Sequence, residues 1–392
     1  MRGFSRFVQI AAAGCVLIPT TVLAATAASG WSIQPTPNPA GAMNTFLKGV
    51  SCTTTSGCTA VGYSISTTDV VTNLAERWNG TVWSIQPTPS QSGAVISSLA
   101  SVACTSSTAC TAVGDAFDSA DVQRTVAEHW NGTTWAVQAT PNPAGANRSK
   151  LVSIACTAAT SCIAVGSYMK TASSHPLSLA ERWNGATWSL LTTPNPAGNR
   201  GTSLTAAACS AATACTAVGN WVNTSNTEVT LAERWNGAAW SIQTTLNPTT
   251  HLSELLGVSC SGATECMAVG DDFNASVVDV PLVERWNGTA WSLVPTPNIA
   301  GSSDYGFQAI SCATAKGCNA VGVNLNGAGV QATLAEKWNG TAWSIKPSPN
   351  PSTATGSLLL AVSCLSTACT ATGNYTTSTP PSLNDKTLAE QT

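Results

Sequence analysis

Trp31-Ser32-Ile33-Gln34-Pro35-Thr36-Pro37, near the start of the chain, is the tail of a phrase whose head is missing. Complete copies follow. The first reads Leu74-Ala75-Glu76-Arg77-Trp78-Asn79-Gly80, two residues, then Trp83-Ser84-Ile85-Gln86-Pro87-Thr88-Pro89. At the far end, Leu388-Ala389-Glu390-Gln391-Thr392 is the head of the phrase without its tail. The leading fragment supplies what the trailing one lacks. A linear array has no reason to be divided this way. A ring does, because pairing both fragments in one sheet removes the exposed edges.

The cysteines keep the same beat. Of 15 in the chain, Cys15 lies in the first apolar stretch. The others form seven close pairs: Cys52/Cys58, Cys104/Cys110, Cys156/Cys162, Cys209/Cys215, Cys260/Cys266, Cys312/Cys318 and Cys364/Cys369. Successive first members stand 51 to 53 residues apart. Each unit reads as four strands. An apolar run ends at the first Cys, and a second run from the second Cys ends in Gly, as in Thr59-Ala60-Val61-Gly62. The third strand ends at Trp78, where Asn79-Gly80 marks a hairpin whose turn residues favour positive φ. The fourth starts at Trp83 and runs into prolines, which belong at a sheet edge. Strand four is therefore outermost and strand one nearest an axis. The fold expected is all-β: a seven-bladed β-propeller over residues 28–392, four antiparallel strands per blade, with repeats of about 52 residues. The N-terminal strand completes the last blade.

Composition narrows the function. Only 9% of residues are charged and the net charge is −3, so no basic field exists for nucleic acid. Arg2 and Arg6, an apolar stretch to about Ala25, and small residues to Ala27 read as a signal peptide over residues 1–27. Lipid attachment at Cys15 is disfavoured, because the usual Leu three positions earlier is missing. No later segment is apolar enough to span a bilayer as a helix. The expected product is secreted, extracellular and monomeric. In that setting paired cysteines are disulfides, expected to staple neighbouring strands across a turn. Their spacing is not that of a CxxC motif and few His residues exist to share a metal, which speaks against metal or redox chemistry.

Blades with a Trp-Asn-Gly hairpin followed by Trp-Ser resemble those of secreted bacterial propellers, and loosely the kelch and Asp-box hairpins. The pattern runs from Trp31 to Thr392. The double Gly of kelch and the Ser-x-Asp-x-Gly of the Asp-box are both missing, so the resemblance implies a fold and transfers no activity.

Recurring residues read first as structure. Glu76, Glu128, Glu181, Glu233, Glu284, Glu336 and Glu390 precede the third-strand Trp in every blade, and strand alternation turns each away from its cationic neighbour. An inter-blade hydrogen-bond ladder is expected, with a cation-binding ring as the competing reading. The Trp pairs flanking each turn are expected to pack rather than to carry sugar.

Function is expected where the repeat breaks down. Strand connections alternate between the two faces of the ring. The Cys turns and Trp-Asn-Gly turns share one face; the long second-to-third loops and the Pro-rich connections share the other. All nine Asp residues fall in that second set. Variable loops on a rigid scaffold are where binding residues collect. The candidates are Asp115, Asp118, Asp271 and Asp272, with the aromatics that follow each Gly: Tyr63, Phe117, Tyr168, Trp221, Phe273 and Tyr375. The offset from Gly varies between one and three, so these rings can either plug gaps between blades or stack on a ligand. Calcium is a candidate at Asp115/Asp118/Asp121 and at Asp271/Asp272/Asn274, although neither follows a known calcium loop. Catalytic residues are not assigned: His129, His175 and His251 are scattered, and no Gly-x-Ser-x-Gly or zinc motif occurs. The sequence reading is a recognition module for a glycan or protein ligand, with no cofactor. The alternative is a secreted propeller-type hydrolase such as a glycosidase.

Overall fold

The computed structural model describes residues 30–170, 175–248, 252–273, 278–366, 368–377 and 384–392. The signal-peptide reading of residues 1–27, together with His251 and Asn274, lies outside the described residues. The strands form seven four-stranded antiparallel sheets. Blade 1 comprises Ala42–Thr54, Gly57–Ser66, Val71–Trp78 and Trp83–Gln86. Blades 2 to 6 begin at Ala94, Ala146, Thr202, Ser253 and Ser302 and repeat the order. Blade 7 takes Gly356–Cys364, Cys369–Thr376 and Asp385–Gln391 from the end of the chain and Ser32–Gln34 from its beginning. Ser32, Ile33 and Gln34 pair with Gln391, Glu390 and Ala389. The ring is closed as expected. Among the described residues no helix is long and apolar enough to cross a membrane.

First strands touch those of both neighbouring blades and form the inner ring. They are held by a repeated bond. The amide N–H of Cys104, Cys312 and Cys364 donates to the hydroxyl of Ser51, Ser259 and Ser311 in the preceding blade, each at 2.9 Å. The bond from Cys52 to Ser363 closes the circle at 3.0 Å.

All seven expected disulfides are present: Cys52–Cys58, Cys104–Cys110, Cys156–Cys162, Cys209–Cys215, Cys260–Cys266, Cys312–Cys318 and Cys364–Cys369. Each links residues facing one another across the first hairpin, with Cα atoms 3.9 to 4.0 Å apart. Closing so small a loop stabilises by roughly 2 kcal/mol per bridge in the chain-entropy model. The staples flank the first-hairpin turns, as expected, but the two members of each pair differ in exposure. Only the first member of each pair is partly exposed. The second, at Cys58, Cys110, Cys162, Cys215, Cys266, Cys318 and Cys369, is buried at 0 to 7% exposure and belongs to the hydrophobic core. The reason is its register. It lies inside the second strand, where Cys162, Cys215 and Cys266 stand opposite Trp183, Trp235 and Trp286 of the third. Its sulfur also reaches the preceding blade, as Cys266 does at the Thr216 hydroxyl, 3.5 Å away. These cysteines are packing residues.

Why every second strand contains Gly becomes clear at the inner hairpin. The first strand bulges by one residue between Leu47 and Gly49, and at the equivalent place in every blade. The bulge drives a carbonyl against the partner strand. A Cβ on Gly62 would lie 1.9 Å from the Phe46 oxygen, and the six equivalents meet a carbonyl at 1.9 to 2.1 Å. Only Gly fits. Leu47, Leu99, Leu151, Leu204, Leu255, Phe307 and Leu359, at the bulge, are buried to 1% exposure or less and anchor the blade clusters.

The outer hairpin corrects one expectation. Asn79-Gly80 is not a two-residue turn with both φ positive. Trp78 pairs with Trp83 across four loop residues, and Gly80 alone has positive φ, at 97°. Asn79 works through its side chain, whose oxygen accepts the N–H groups of Thr81 and Val82 at 2.9 Å. This is the Asx geometry that favours Asn in turns. The Trp pairs behave as packing elements. Their ring centroids lie 5.7 to 5.8 Å apart in six blades, and all but the half-buried Trp183 are buried.

All seven recurring Glu side chains are fully buried between blades. Three accept bonds from the preceding blade: Glu128 from Asn73 at 2.6 Å, Glu284 from the Leu246 N–H at 3.1 Å, and Glu390 from Ser348 at 2.8 Å. The ladder is incomplete. Both carboxyl oxygens of Glu76, Glu233 and Glu336 have no hydrogen-bond partner among the described residues. Nor does a cation serve any of the seven, since the ion pairs among the described residues are Arg148–Asp121 and Arg285–Glu265. Among the described residues no three of these carboxyls come together to hold a metal. An unpaired buried carboxylate is so costly that the group keeps its proton. Burial pushes Glu76, Glu181, Glu233 and Glu336 to about 8, and Glu128, Glu284 and Glu390 to about 7. These values exceed the ordinary 4.5, so the folded chain holds more protons than the unfolded chain between about pH 4.5 and 8. Stability from this source is complete at acid pH and is lost as pH rises through that window. Thermal melting is expected at a midpoint lower by on the order of 10 °C at pH 8.5 than at pH 5.5. Glu336→Gln, which cannot ionise, should narrow that gap.

Candidate functional site

The face carrying the long loops and Pro-rich connections holds two groups of candidate residues. The larger spans blades 4 to 6. Asp271, in the second strand of blade 5, faces blade 6 and accepts the Phe307 N–H at 3.1 Å. It fits because its neighbour there is Gly306: a Cβ at that position would meet the Asp271 carboxylate at 1.9 Å. Glu254 pairs with Asp271 across the hairpin, and Asp279 opens the third strand. Asp304 enters from blade 6 and hydrogen-bonds Asp279; Glu228 approaches from blade 4. Each of these five carboxyls thus lies within electrostatic reach of at least one other, and none of them is in an ion pair among the described residues.

Their electrostatics follow from burial and mutual repulsion. Asp271 is pushed up to about 8, first by burial and then by the charges of Asp279, Glu254 and Asp304. Glu254 rises to about 7 through burial, Glu228 and Asp279. Asp279 rises to about 6 through burial and its bond with Asp304. Near neutral pH the group therefore holds protonated carboxyls beside ionised ones. It can donate hydrogen bonds as well as accept them.

A depression of about 270 Å³ lies on blade 2 and the connections entering and leaving it, lined by Gln91, Gly93, Phe117, Asp118, Arg124 and Asn142 among others. Arg148 covers the Phe117 ring with its guanidinium 5.1 Å from the centroid. Nearby, Asp115 accepts from Gln123 at 2.8 Å and from Ser98 at 3.3 Å, and burial raises its pKa. Tyr63 stacks on Phe46 at 4.9 Å, and burial followed by Asp385 and Asp115 holds its proton more tightly.

The remaining candidates are structurally engaged. Asp118 accepts the N–H groups of Ala120 and Val122 in its own turn, at 2.9 and 3.0 Å. Asp272 is buried and accepts the Ser253 hydroxyl at 2.5 Å. Most members of the two calcium groups are engaged elsewhere or turned apart. Asp121 is committed to Arg148, consecutive Asp271 and Asp272 point to opposite faces of their strand, and Asn274 is outside the described residues. No cluster of three or more His, Cys, Asp or Glu suited to a metal occurs among the described residues.

The wandering aromatic resolves into two sets by strand parity. Tyr168, Trp221 and Tyr375 stand two residues after Gly, facing the preceding blade, and pack on its apolar cluster. Tyr63, Phe117 and Phe273 stand one or three after Gly and face the following blade. Only the second set shares a side with Asp115 and Asp271. The sequence reading missed Glu228, Glu254, Asp279 and Asp304 as partners of Asp271; what would have marked Glu254 is that it sits directly opposite Asp271 in the repeat register. Trp221→Ala is expected to lower stability by about 2 kcal/mol in denaturant melts, whereas Phe117→Ala should change it by less than half as much.

No protein-family model matches the chain, and no curated protein matches it. Solved structures do. An ulvan lyase bound to a GlcA(1-4)Rha3S segment superposes with a TM-score of 0.52 at 9% identity, covering 88% of this chain and 94% of its own. A fucose-specific lectin from Aleuria aurantia gives 0.43 at 11% identity, over 79% and 97%. The sialidase of Trypanosoma rangeli gives 0.48 at 9%, over 90% and 54%. What the lyase shares with this chain is the fold.

Proposed function

We propose that the protein is a secreted recognition module that binds a glycan through its acidic loop face, with Glu254, Asp271, Asp279 and Asp304 at the centre of the site. The observation that carries this reading is the electrostatic grouping of five carboxyls from three blades, none of them in an ion pair among the described residues. Such a group is rich in acceptors, and a polyol supplies donors densely. The mixed protonation of the site suits sugar hydroxyls, which both donate and accept. Phe273, two residues beyond Asp271 on the same side of the strand, provides a ring on which a sugar can stack. The seven disulfides fit an oxidising, extracellular setting.

A hydrolase is the second reading, and one observation favours it. Asp271 keeps its proton to about 8 beside Asp279, which ionises near 6. General acid and base pairs have this asymmetry. A glycan array followed by calorimetry on the hits separates the two. Binding is expected to fall at least tenfold in Asp271→Asn and Glu254→Gln, with the glycan recovered intact. Cleavage of a bound glycan, lost in Asp271→Asn, would establish the hydrolase instead. Absence of binding across glycans and cell-wall material would remove the site from consideration.

A further inference from the structure

The opposite face carries a notch found at one inter-blade junction. In blades 1 to 6 the third strand ends in Trp, which pairs in register with the second Cys: Cys58 with Trp78, and so on to Cys318 with Trp338. In blade 7 that position is Thr392, tied to Cys369 by bonds of 2.9 and 3.1 Å. Trp31, the fourth-strand Trp of this blade, therefore has no indole partner. A cavity of about 430 Å³ results, within the roughly 300–1,000 Å³ of small-molecule sites.

The other blades show what such a space accommodates. Arg77 of blade 1 lies over the Trp130 ring of blade 2 at 4.8 Å, and Arg234 over Trp286 at 4.9 Å. The indole N–H of Trp130, Trp183 and Trp235 donates to a carbonyl of its own blade's Cys turn, at 3.1 to 3.3 Å. In the notch the equivalent cation is Lys337, which lines it with Lys346 and Asn319. The Cys turn of blade 7 contributes Leu365, Ser366 and Ala368. No Asp or Glu is among the lining residues, and neither lysine takes part in an ion pair among the described residues. The site thus combines a slab-shaped indole position with two ammonium groups not committed to a carboxylate among the described residues.

We propose that this notch binds a planar aromatic anion, an indole-sized ring bearing a carboxylate. The ring occupies the position that Trp holds in the other six blades, with the carboxylate against Lys337 and Lys346. The site is independent of the acidic loop face.

Calorimetry or ligand-observed NMR with indole-3-acetate, indole and tryptamine tests it on the intact protein. Indole-3-acetate is expected to bind about tenfold more tightly than indole, and tryptamine least well. Thr392→Trp, which fills the notch from within, should abolish binding of all three. If that variant fails to fold, the exposed-side double change Lys337→Glu and Lys346→Glu should reverse the order in favour of tryptamine. No saturable binding overturns the proposal. So does binding that is indifferent to ligand charge, or that survives both variants unchanged.

Discussion

Pairing of Ser32–Gln34 with Asp385–Gln391 is the constraint on which every other feature depends. Each blade has one face suited to the blade before it and one suited to the blade after. Only a closed circle covers all fourteen faces. The closing junction repeats the chemistry of the other six: Cys52 donates to Ser363, and the Cys58 sulfur meets the Thr370 hydroxyl at 3.5 Å as Cys110 meets Thr59 at 3.6 Å. These contacts of Cys52 and Cys58 join residues more than 300 positions apart. The chain-entropy cost of bringing such distant segments together is large, though it grows only slowly with length. Local staples at each inner hairpin restrict the unfolded chain and so reduce what remains to be ordered.

Closure also explains the unusual interior. Sheets of small residues meet through a thin apolar layer, and that layer includes a carboxyl in every blade. Kept neutral, a carboxyl resembles an amide in size and polarity and can be buried. Ionised, it has no cation to offset it. The interfaces therefore favour mildly acidic surroundings.

Much of this was legible in the residues. The Cys beat, the twin Trp positions and the divided phrase at the two ends determine blade number, strand order and closure, because each is a local pattern repeated in register. Other features need three dimensions. The bulge at Leu47 leaves no mark except the Gly opposite it, and its reason is a carbonyl approach that sequence does not display. Spacing pairs Cys156 with Cys162, but only the packing of blades shows that Cys162 is core and Cys156 is not. Asn79 looked like a positive-φ residue and instead caps its loop through its side chain. The aromatics seemed to wander until strand parity divided Tyr168, Trp221 and Tyr375 from Tyr63, Phe117 and Phe273. Asp271 was visible as a candidate, yet most of its partners come from other strands and neighbouring blades whose loops differ, so spacing along the chain could not connect them. Both sites described above arise where the repeat is broken: by acids at one face of blades 4 to 6, and by Thr392 at the other face of blade 7.

The most direct test of the ring is covalent. Ser32→Cys with Gln391→Cys places two thiols at facing positions of the closing pair. In the folded monomer they should oxidise to an intramolecular bond, giving a circular species with shifted mobility on non-reducing gels and a raised melting temperature. Free thiols in the folded protein, or bonds formed only between molecules, would show that these two segments do not meet and that the ring is not closed as described.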